Sequence, residues 1–458
     1  MPVRMPAMLL EPGGTLLHHR IVEKLGEGGM VEGKPVNHRT DVFSLGIQMH
    51  EIATGRRPLL RTAGLWLLLF LTACGGGTRE FADPLAALDS WELREELRIQ
   101  QVGGPQDLLT RVGEVRIAPS GELVVAQPMD SRVVVYGPDG DLLTTVGRPG
   151  EGPGEVGTLS YAGLLGDTVF TSDGRLRRVS FFTLGGELLS SRRWVLEGEM
   201  EMVDGTFLGP RTPAVILDDD TALIEPNHGY QFPEGEGELA YEVPIYRVDG
   251  EGGILDTVAH RRVEIRWTTI AHDGEESLLW SPFSDRPLVE LAPDRSGVVS
   301  AERRVPEEPA NAVFTVARVD PRGERVAIRS FPYGPVAIAD AVVRRAAEAE
   351  NERRAARGPG GPSVSEIEAA YRRAGFVPRF LPPVSELVPA GDGTVWLRRE
   401  DVAADLVTWD VLSPDLEPLG RVHLPARFTV SDVAGNVLVG VELDAFDEPR
   451  ILQYRIIR

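Results

Sequence analysis

Positive charge, lysine, cysteine and long apolar runs are all scarce in this chain. Against 69 Asp and Glu stand only 48 Lys and Arg, a formal net charge of −21. A surface of that sign repels nucleic-acid phosphates and anionic lipid headgroups, so no nucleic acid is expected as a partner. Lys24 and Lys34 are the only lysines, and every later cation is an arginine or a histidine. Lysine Schiff-base chemistry therefore has no nucleophile in the body of the chain. The single cysteine, Cys74, rules out an intramolecular disulfide and any multi-cysteine metal site. The apolar run from Ala63 to Ala73 is too short for a membrane-spanning helix, which needs roughly 20 residues. What remains is 458 residues at 42% hydrophobic content, enough for a sizeable core.

The surroundings of Cys74 are ordered like a secretory leader. Arg56, Arg57 and Arg61 form a positive flank, Ala63 to Ala73 an apolar segment, and Gly75-Gly76-Gly77 a flexible tether. A buried core helix would also be apolar, but it would end in a packed cap rather than three glycines. Leu71-Thr72-Ala73-Cys74 resembles the lipobox of bacterial lipoproteins. That resemblance implies lipidation of Cys74, removal of the leader before it, and a place on the extracytoplasmic side of the cell envelope, held to the membrane by a lipid anchor. Residues 61–77 are assigned to this leader and tether.

Residues 1–60 pose a separate question. Leu25-Gly26-Glu27-Gly28-Gly29-Met30 resembles the start of a protein kinase's glycine-rich loop. Asn37 to Gly46 resembles a segment of the kinase C-lobe, and Glu51 to Pro58 continues the likeness. The catalytic domain that separates these segments in bacterial Ser/Thr kinases is missing. Phosphoryl transfer needs a phosphate-binding lysine, a catalytic-loop Asp and Asn, and the Asp of a DFG motif, and none has a matching position. Asp41 matches a structural aspartate, not the base. Gly26 and Gly28 are thus read as relics of a cofactor loop, residues 1–60 as a degenerate and unfolded kinase fragment, and kinase activity is not expected. Translation from Met49 would give a leader of 25 residues, Met49 to Ala73, within the usual range of roughly 15–30.

The body of the chain alternates short apolar strands with turns. Between residues 112 and 147, Val115 and Ile117, Val124-Val125, Val133 and Val135, and Leu142-Leu143 mark four strands around Pro119-Ser120-Gly121 and Pro138-Asp139-Gly140. Four strands are the content of one propeller blade. Similar units recur at Thr168 to Leu189, at Ala214 to Val258, at Leu288 to Ile328, at Glu386 to Val422 and at Phe428 to Ile457, which makes six. The pattern is weakest over residues 200–280. Val146-Gly147-Arg148-Pro149-Gly150-Glu151-Gly152-Pro153-Gly154-Glu155 resembles the connector of bacterial six-bladed propellers related to NHL repeats. The fold expected is therefore all-β, a six-bladed β-propeller over residues 92–458 with a helical insertion at 336–375, preceded by a non-globular leader. A β-sandwich or a seven-bladed ring stays open on strand signals alone. Within the insertion, Val336, Ala339, Val342, Val343, Ala346 and Ala347 have helical spacing, and a second helix is predicted from Ser365, with Glu368 at capping-box distance. The last unit has only three strands, so the spare segment Glu95 to Val102 is predicted to pair as its outer strand and close the ring.

Candidate chemistry is sparse. Some six-bladed propellers are lactonases with a divalent cation in the channel, held by Glu, Asn and Asp from several blades. Here the candidates would be Asp218 to Asp220, Asn227, Asp273 and Asn436, although acidic loops need no metal. His228, His260, His272 and His423 form no HExxH pair, and no GxSxG elbow is present. No catalytic residue, cofactor or metal ligand is therefore assigned. The reading is a binding or scaffold lipoprotein that contacts an envelope protein, peptide or glycan; the alternative is a metal-dependent propeller hydrolase or lactonase. Three or more carboxylate or amide oxygens converging in the channel would favour the enzyme, and an uncharged or arginine-lined channel would favour binding.

Overall fold

The computed structural model describes residues 83–458 except 101–108, 197–200, 204–205, 210, 231–234, 307, 309–311, 356–360, 400–405 and 445–447, together with four two-residue strands among residues 15–35. Gly26, Gly28 and Cys74, with the kinase-like and lipobox-like assignments that rest on them, lie outside the described residues. Phe81–Arg458 is one compact unit. Among its described residues, no helix is long and apolar enough to cross a membrane.

Six antiparallel sheets of four or five strands succeed one another along this unit, with a small three-stranded sheet beside the third. After a first strand β1 (Glu92–Ile99), blade 1 holds β2 (Val115–Ile117), β3 (Leu123–Gln127), β4 (Arg132–Tyr136) and β5 (Leu142–Val146). Blade 2 holds β6 (Leu159–Leu165), β7 (Thr168–Asp173), β8 (Arg178–Thr183) and β9 (Leu188–Arg193). The reason is legible in the valine run of β4. Val133 and Val135 face blade 2 with Val169 and Phe182, while Val134 faces the other way, toward Val439 and Ile451 of the last blade. A strand buried on both faces reads as a continuous apolar run. Gly140, at φ 87, turns β4 into β5, a left-handed conformation that costs glycine little.

Blade 3 departs from the pattern. After β10 (Glu201–Val203) and β11 (Thr206–Gly209) come β12 (Val215–Ile216), β13 (Ala222–Ile224) and β14 (Asn227–Tyr230), then β15 (Gly237–Val248), β16 (Ile254–His272) and β17 (Glu275–Trp280). Only Tyr246 to Val248 of β15 pair with β13. On its other side β15 pairs with β16 along its whole length, and β17 pairs with the far end of β16, so an antiparallel arm continues beyond the blade. Strands β10, β11 and β14 form a small separate sheet. These additions are why the repeat fades over residues 200–280.

Blade 4 contains β18 (Leu288–Leu291), β19 (Val298–Glu302), β20 (Val313–Val319) and β21 (Arg325–Pro332). The helical insertion follows as α1 (Asp340–Ala355) and α2 (Val364–Arg373). The capping box is Ser363 with Glu366, not Ser365 with Glu368. Ser363 has the extended φ/ψ of −66/160 that a cap requires, and Ser365 already lies inside the helix. Val343 and Ala347 of α1 and Ile367, Ala370 and Tyr371 of α2 bury against Ile270 and Leu279 of the arm. Arg354 adds hydrogen bonds to the Ser277 hydroxyl (2.7 Å) and the Leu278 carbonyl (2.6 Å). The insertion thus sits between blades 4 and 5 in sequence and braces blade 3 in space.

Blade 5 has β22 (Glu386–Pro389), β23 (Val395–Arg399), β24 (Leu406–Leu412) and β25 (Pro418–Pro425); blade 6 has β26 (Phe428–Ala434), β27 (Val437–Leu443) and β28 (Pro449–Ile457). Strand β1 completes blade 6 by pairing with β28, from Ile99↔Ile451 to Glu92↔Ile457. The closing strand begins at Glu92 rather than Glu95. A bulge at Glu96 explains the difference, because Glu95 and Leu97 oppose consecutive partners, Tyr454 and Gln453. The bulge reverses which face each side chain takes. Leu93 packs toward the blade 5 side with Trp396 and Val422, while Leu97 and Ile99 pack toward blade 1. Just before β1, the backbone is laced to β25 by Trp91 N–H to the Arg421 carbonyl (2.7 Å) and Arg421 N–H to the Asp89 carbonyl (2.9 Å). The chain is a six-bladed β-propeller closed by its own two ends.

Candidate functional site: a charged central channel

The first strand of each blade, β2, β6, β12, β18, β22 and β26, lines a central cavity of about 670 Å³. The residues that line it are mixed, with apolar ones such as Leu164, Phe170 and Leu291 beside polar and charged ones. Four arginines reach the cavity: Arg116 from β2, Arg211 from the segment before β12, Arg261 from β16, and Arg295 from the β18–β19 turn.

Most of this charge is already engaged. Arg116 donates from Nη1 to the Ser431 carbonyl (2.8 Å) and lies 3.5 Å from Glu114 Oε2. Asp432 beside it is buried at 3% exposure and accepts from the N–H groups of Gly391 (2.7 Å), Val433 (2.9 Å) and Ile117 (3.0 Å). One carboxylate thereby ties blade 5, blade 6 and blade 1 together at the channel. Burial pushes the Asp432 carboxyl up, against the pull of Arg116 and of those three donors.

The second cluster is built by blades 3 and 4. Arg261 Nε is 3.0 Å from both oxygens of Glu225, and Nη1 is 3.6 Å from Glu290 Oε1. His228, brought in by β14, places Nε2 3.5 Å from Glu225 and Nδ1 3.1 Å from the Tyr241 hydroxyl. Burial raises the Glu225 carboxyl, but the contacts with His228 and Arg261 outweigh it and leave the group below the usual range. Glu290 goes the other way. Burial among protein on all sides but the cavity, with Glu225 nearby, lifts its carboxyl despite Arg261. One guanidinium serves two carboxylates, and Glu225, with the shorter contacts, holds it.

Arg211 is different. Its guanidinium lies over the Tyr161 ring, 4.9 Å from the centroid, and among the described residues it makes no ion pair. Its backbone is fixed by the Leu196 N–H, which donates to the Arg211 carbonyl at 2.9 Å. Burial raises the Tyr161 hydroxyl, so it remains protonated and able to donate.

The residues singled out from the sequence as metal candidates do not meet. Asp218, Asp219 and Asp220 share an exposed turn, where Asp218 pairs with Arg295, Asp219 with Arg247 (3.4 Å), and Asp220 with Arg192 (3.0 Å). Asp273 turns β16 into β17 at φ 51, and its side chain is 88% exposed. Asn227 pairs with Gly209 in the small sheet, and the Asn436 carbonyl accepts from the Ile456 N–H at 2.8 Å. Among the described residues, no group of three His, Cys, Asp or Glu side chains is placed to hold a metal ion. His260 lies on β16 and His423 on β25, and His272 faces Asp273 and Glu366 at the arm's tip. Among the described histidines, His228 alone joins the channel cluster.

Tyr161, Arg211, Glu225, Arg261 and Glu290 carried no signal in the sequence. They share no motif and no spacing, and only the arrangement of the blades brings them together.

No family model and no curated protein matches the chain. Among solved structures it is similar to a member of the DUF4221 family from Bacteroides vulgatus, at 10% identity over 81% of this chain and 98% of that one, with a TM-score of 0.40. It is also similar to the PQQ-bound aldose sugar dehydrogenase of Streptomyces coelicolor (12% identity, 80% and 98% coverage, TM-score 0.36). A third is the virginiamycin B lyase of Staphylococcus aureus (12% identity, 80% and 100% coverage, TM-score 0.31). By its own sheet order, the chain is a β-propeller module with a charged channel through its centre.

Proposed function

We propose that this chain is an envelope lipoprotein whose propeller binds a ligand in its central channel without catalysing its turnover. The observation that carries the reading is the channel lining. Arginines from blades 1, 3 and 4 enter it, and its glutamates pair with two of them, Glu114 with Arg116 and both Glu225 and Glu290 with Arg261. Such a lining favours a polar ligand, with an anionic group at Arg211. A divalent cation would need several oxygens gathered at roughly 2.3–2.6 Å from one point. The ligand in this reading is presented by an envelope protein, peptide or glycan. Attachment is through Cys74, on the strength of the arginine flank, the apolar run and the lipobox-like Leu71 to Cys74. Residues 1–60 contribute no phosphoryl transfer, because the required lysine, aspartates and asparagine have no counterparts.

Mass spectrometry of the protein from the envelope fraction should show a diacylglyceryl-modified Cys74 as the first residue, and Cys74→Ala should leave uncleaved precursor. Residues 1–73 found unmodified on a soluble protein would overturn the anchor. Calcium, magnesium or manganese should leave the melting midpoint unchanged relative to chelator. Metal-dependent lactone hydrolysis would replace this reading with an enzymatic one.

A further inference from the structure

We infer that the channel recognises a small hydroxylated carboxylic acid, of the sugar-acid class, with Arg211 binding its carboxylate. This rests on the channel being a binding site and names what it would take.

Three of the four channel arginines are already paired. Arg116 is held by the Ser431 carbonyl and Glu114, Arg261 by Glu225 and Glu290, and Arg295 by Asp218. Arg211 lines the same cavity with no carboxylate partner among the described residues. Its guanidinium lies over the Tyr161 ring, 4.9 Å from the centroid, and its backbone is anchored by the Leu196 N–H. An arginine stacked on a ring presents a planar fork of donors, the geometry that a carboxylate matches with two parallel hydrogen bonds.

The neighbours decide what the rest of the ligand must be. Tyr161 offers a protonated hydroxyl, and Glu290 is 42% exposed, into the cavity. A purely apolar acid would take water from these groups without replacing its hydrogen bonds, which is costly. Hydroxyl groups satisfy both, since each can donate to Glu290 and accept from Tyr161. Glu114, Glu225 and Glu290 also surround the site with negative charge. That disfavours a dianion such as phosphate more than a single carboxylate. The chain's overall charge of −21 does not override the local cation, because surface charges are screened over about 8–10 Å at ordinary ionic strength. The cavity of about 670 Å³ is of small-molecule size.

The test uses the full chain in detergent, titrated calorimetrically with gluconate, galacturonate, glucose and inorganic phosphate. One or both sugar acids should bind, and glucose and phosphate should not. Arg211→Gln should weaken the acid by about tenfold or more, the loss expected for one charged hydrogen-bonded contact. Thr429→Trp, which fills the cavity from an exposed position on β26, should abolish binding with the melting midpoint retained. Acid binding that survives Arg211→Gln overturns the anchor. Preferred binding of phosphate or glucose, or no binding by any probe, overturns the ligand class. A bound probe unaffected by Thr429→Trp overturns the channel reading itself, so the two failures are separable.

Discussion

Replacing Ile99 by Ala tests whether the ring is closed by the strand that precedes blade 1. Ile99 is 8% exposed and packs with Val115, Leu123, Val125 and Tyr136 of blade 1 and with Val439 and Ile451 of blade 6. Truncating a buried isoleucine to alanine costs about 2–5 kcal/mol. The lower half of that range is expected, because Ile99 is the last residue of β1 and its surroundings can relax. Even so, about 2–3 kcal/mol is a large share of a domain stability that is typically about 5–15 kcal/mol. Urea unfolding followed by tryptophan fluorescence should show the midpoint falling with an unchanged slope. Amide exchange should quicken along Ile451 to Ile457, whose partners lie in β1. Arg94→Ala on the same strand, where the side chain is 63% exposed, serves as the control and should move neither readout appreciably. Deleting residues 92–99 should go further, exposing β28 as a free edge and causing aggregation. If Ile99→Ala unfolds at the parent's midpoint and leaves β28 protected, the ring is held some other way.

The pH dependence of the Glu225 cluster follows from its sign. Contacts with His228 and Arg261 hold the Glu225 carboxyl below its unfolded value of 4.5, so its contribution is complete above that pH and is lost as pH falls through the lower folded value. The stability gap between parent and Glu225→Gln should therefore be wide at about pH 7 and shrink by about pH 3.5; urea midpoints showing a constant gap would contradict the assignment. Gly297 sits at φ 120, and an added Cβ would lie 2.0 Å from the Val319 carbonyl oxygen. Gly297→Ala should cost about 1–3 kcal/mol by thermal unfolding, because a backbone contact cannot rotate away. A variant that melts like the parent would show that this turn relaxes freely.

The elements that the sequence made legible are those whose information is local. Turns such as Pro138-Asp139-Gly140 and Asp320-Pro321-Arg322-Gly323 mark hairpins because Gly140 and Gly323 take φ of 87 and 85. The two helices of the insertion follow from their spacing, but the first starts at Asp340, leaving Val336 and Ala339 outside it, and the cap of the second moved to Ser363. Closure by a spare strand followed from counting three strands in the last unit, although the bulge at Glu96 shifted its start. Bulges, caps and the arm of blade 3 escaped because each depends on what the segment packs against. A 19-residue strand such as β16 changes environment partway along, from blade to arm, and no single period describes it.

The sequence by itself determined that this is a lysine-poor, acidic, all-β chain of six repeated units with ends able to join. Composition and the period of two along a strand are sufficient for that, since they report which faces must be buried. Only the tertiary structure decided what lies at the centre. Arg116 meets the Ser431 carbonyl across 315 residues, and Arg211, Tyr161, Glu225, Arg261 and Glu290 come from three different blades. Such groups meet because six inner strands converge on one axis, and local patterning carries no record of that convergence.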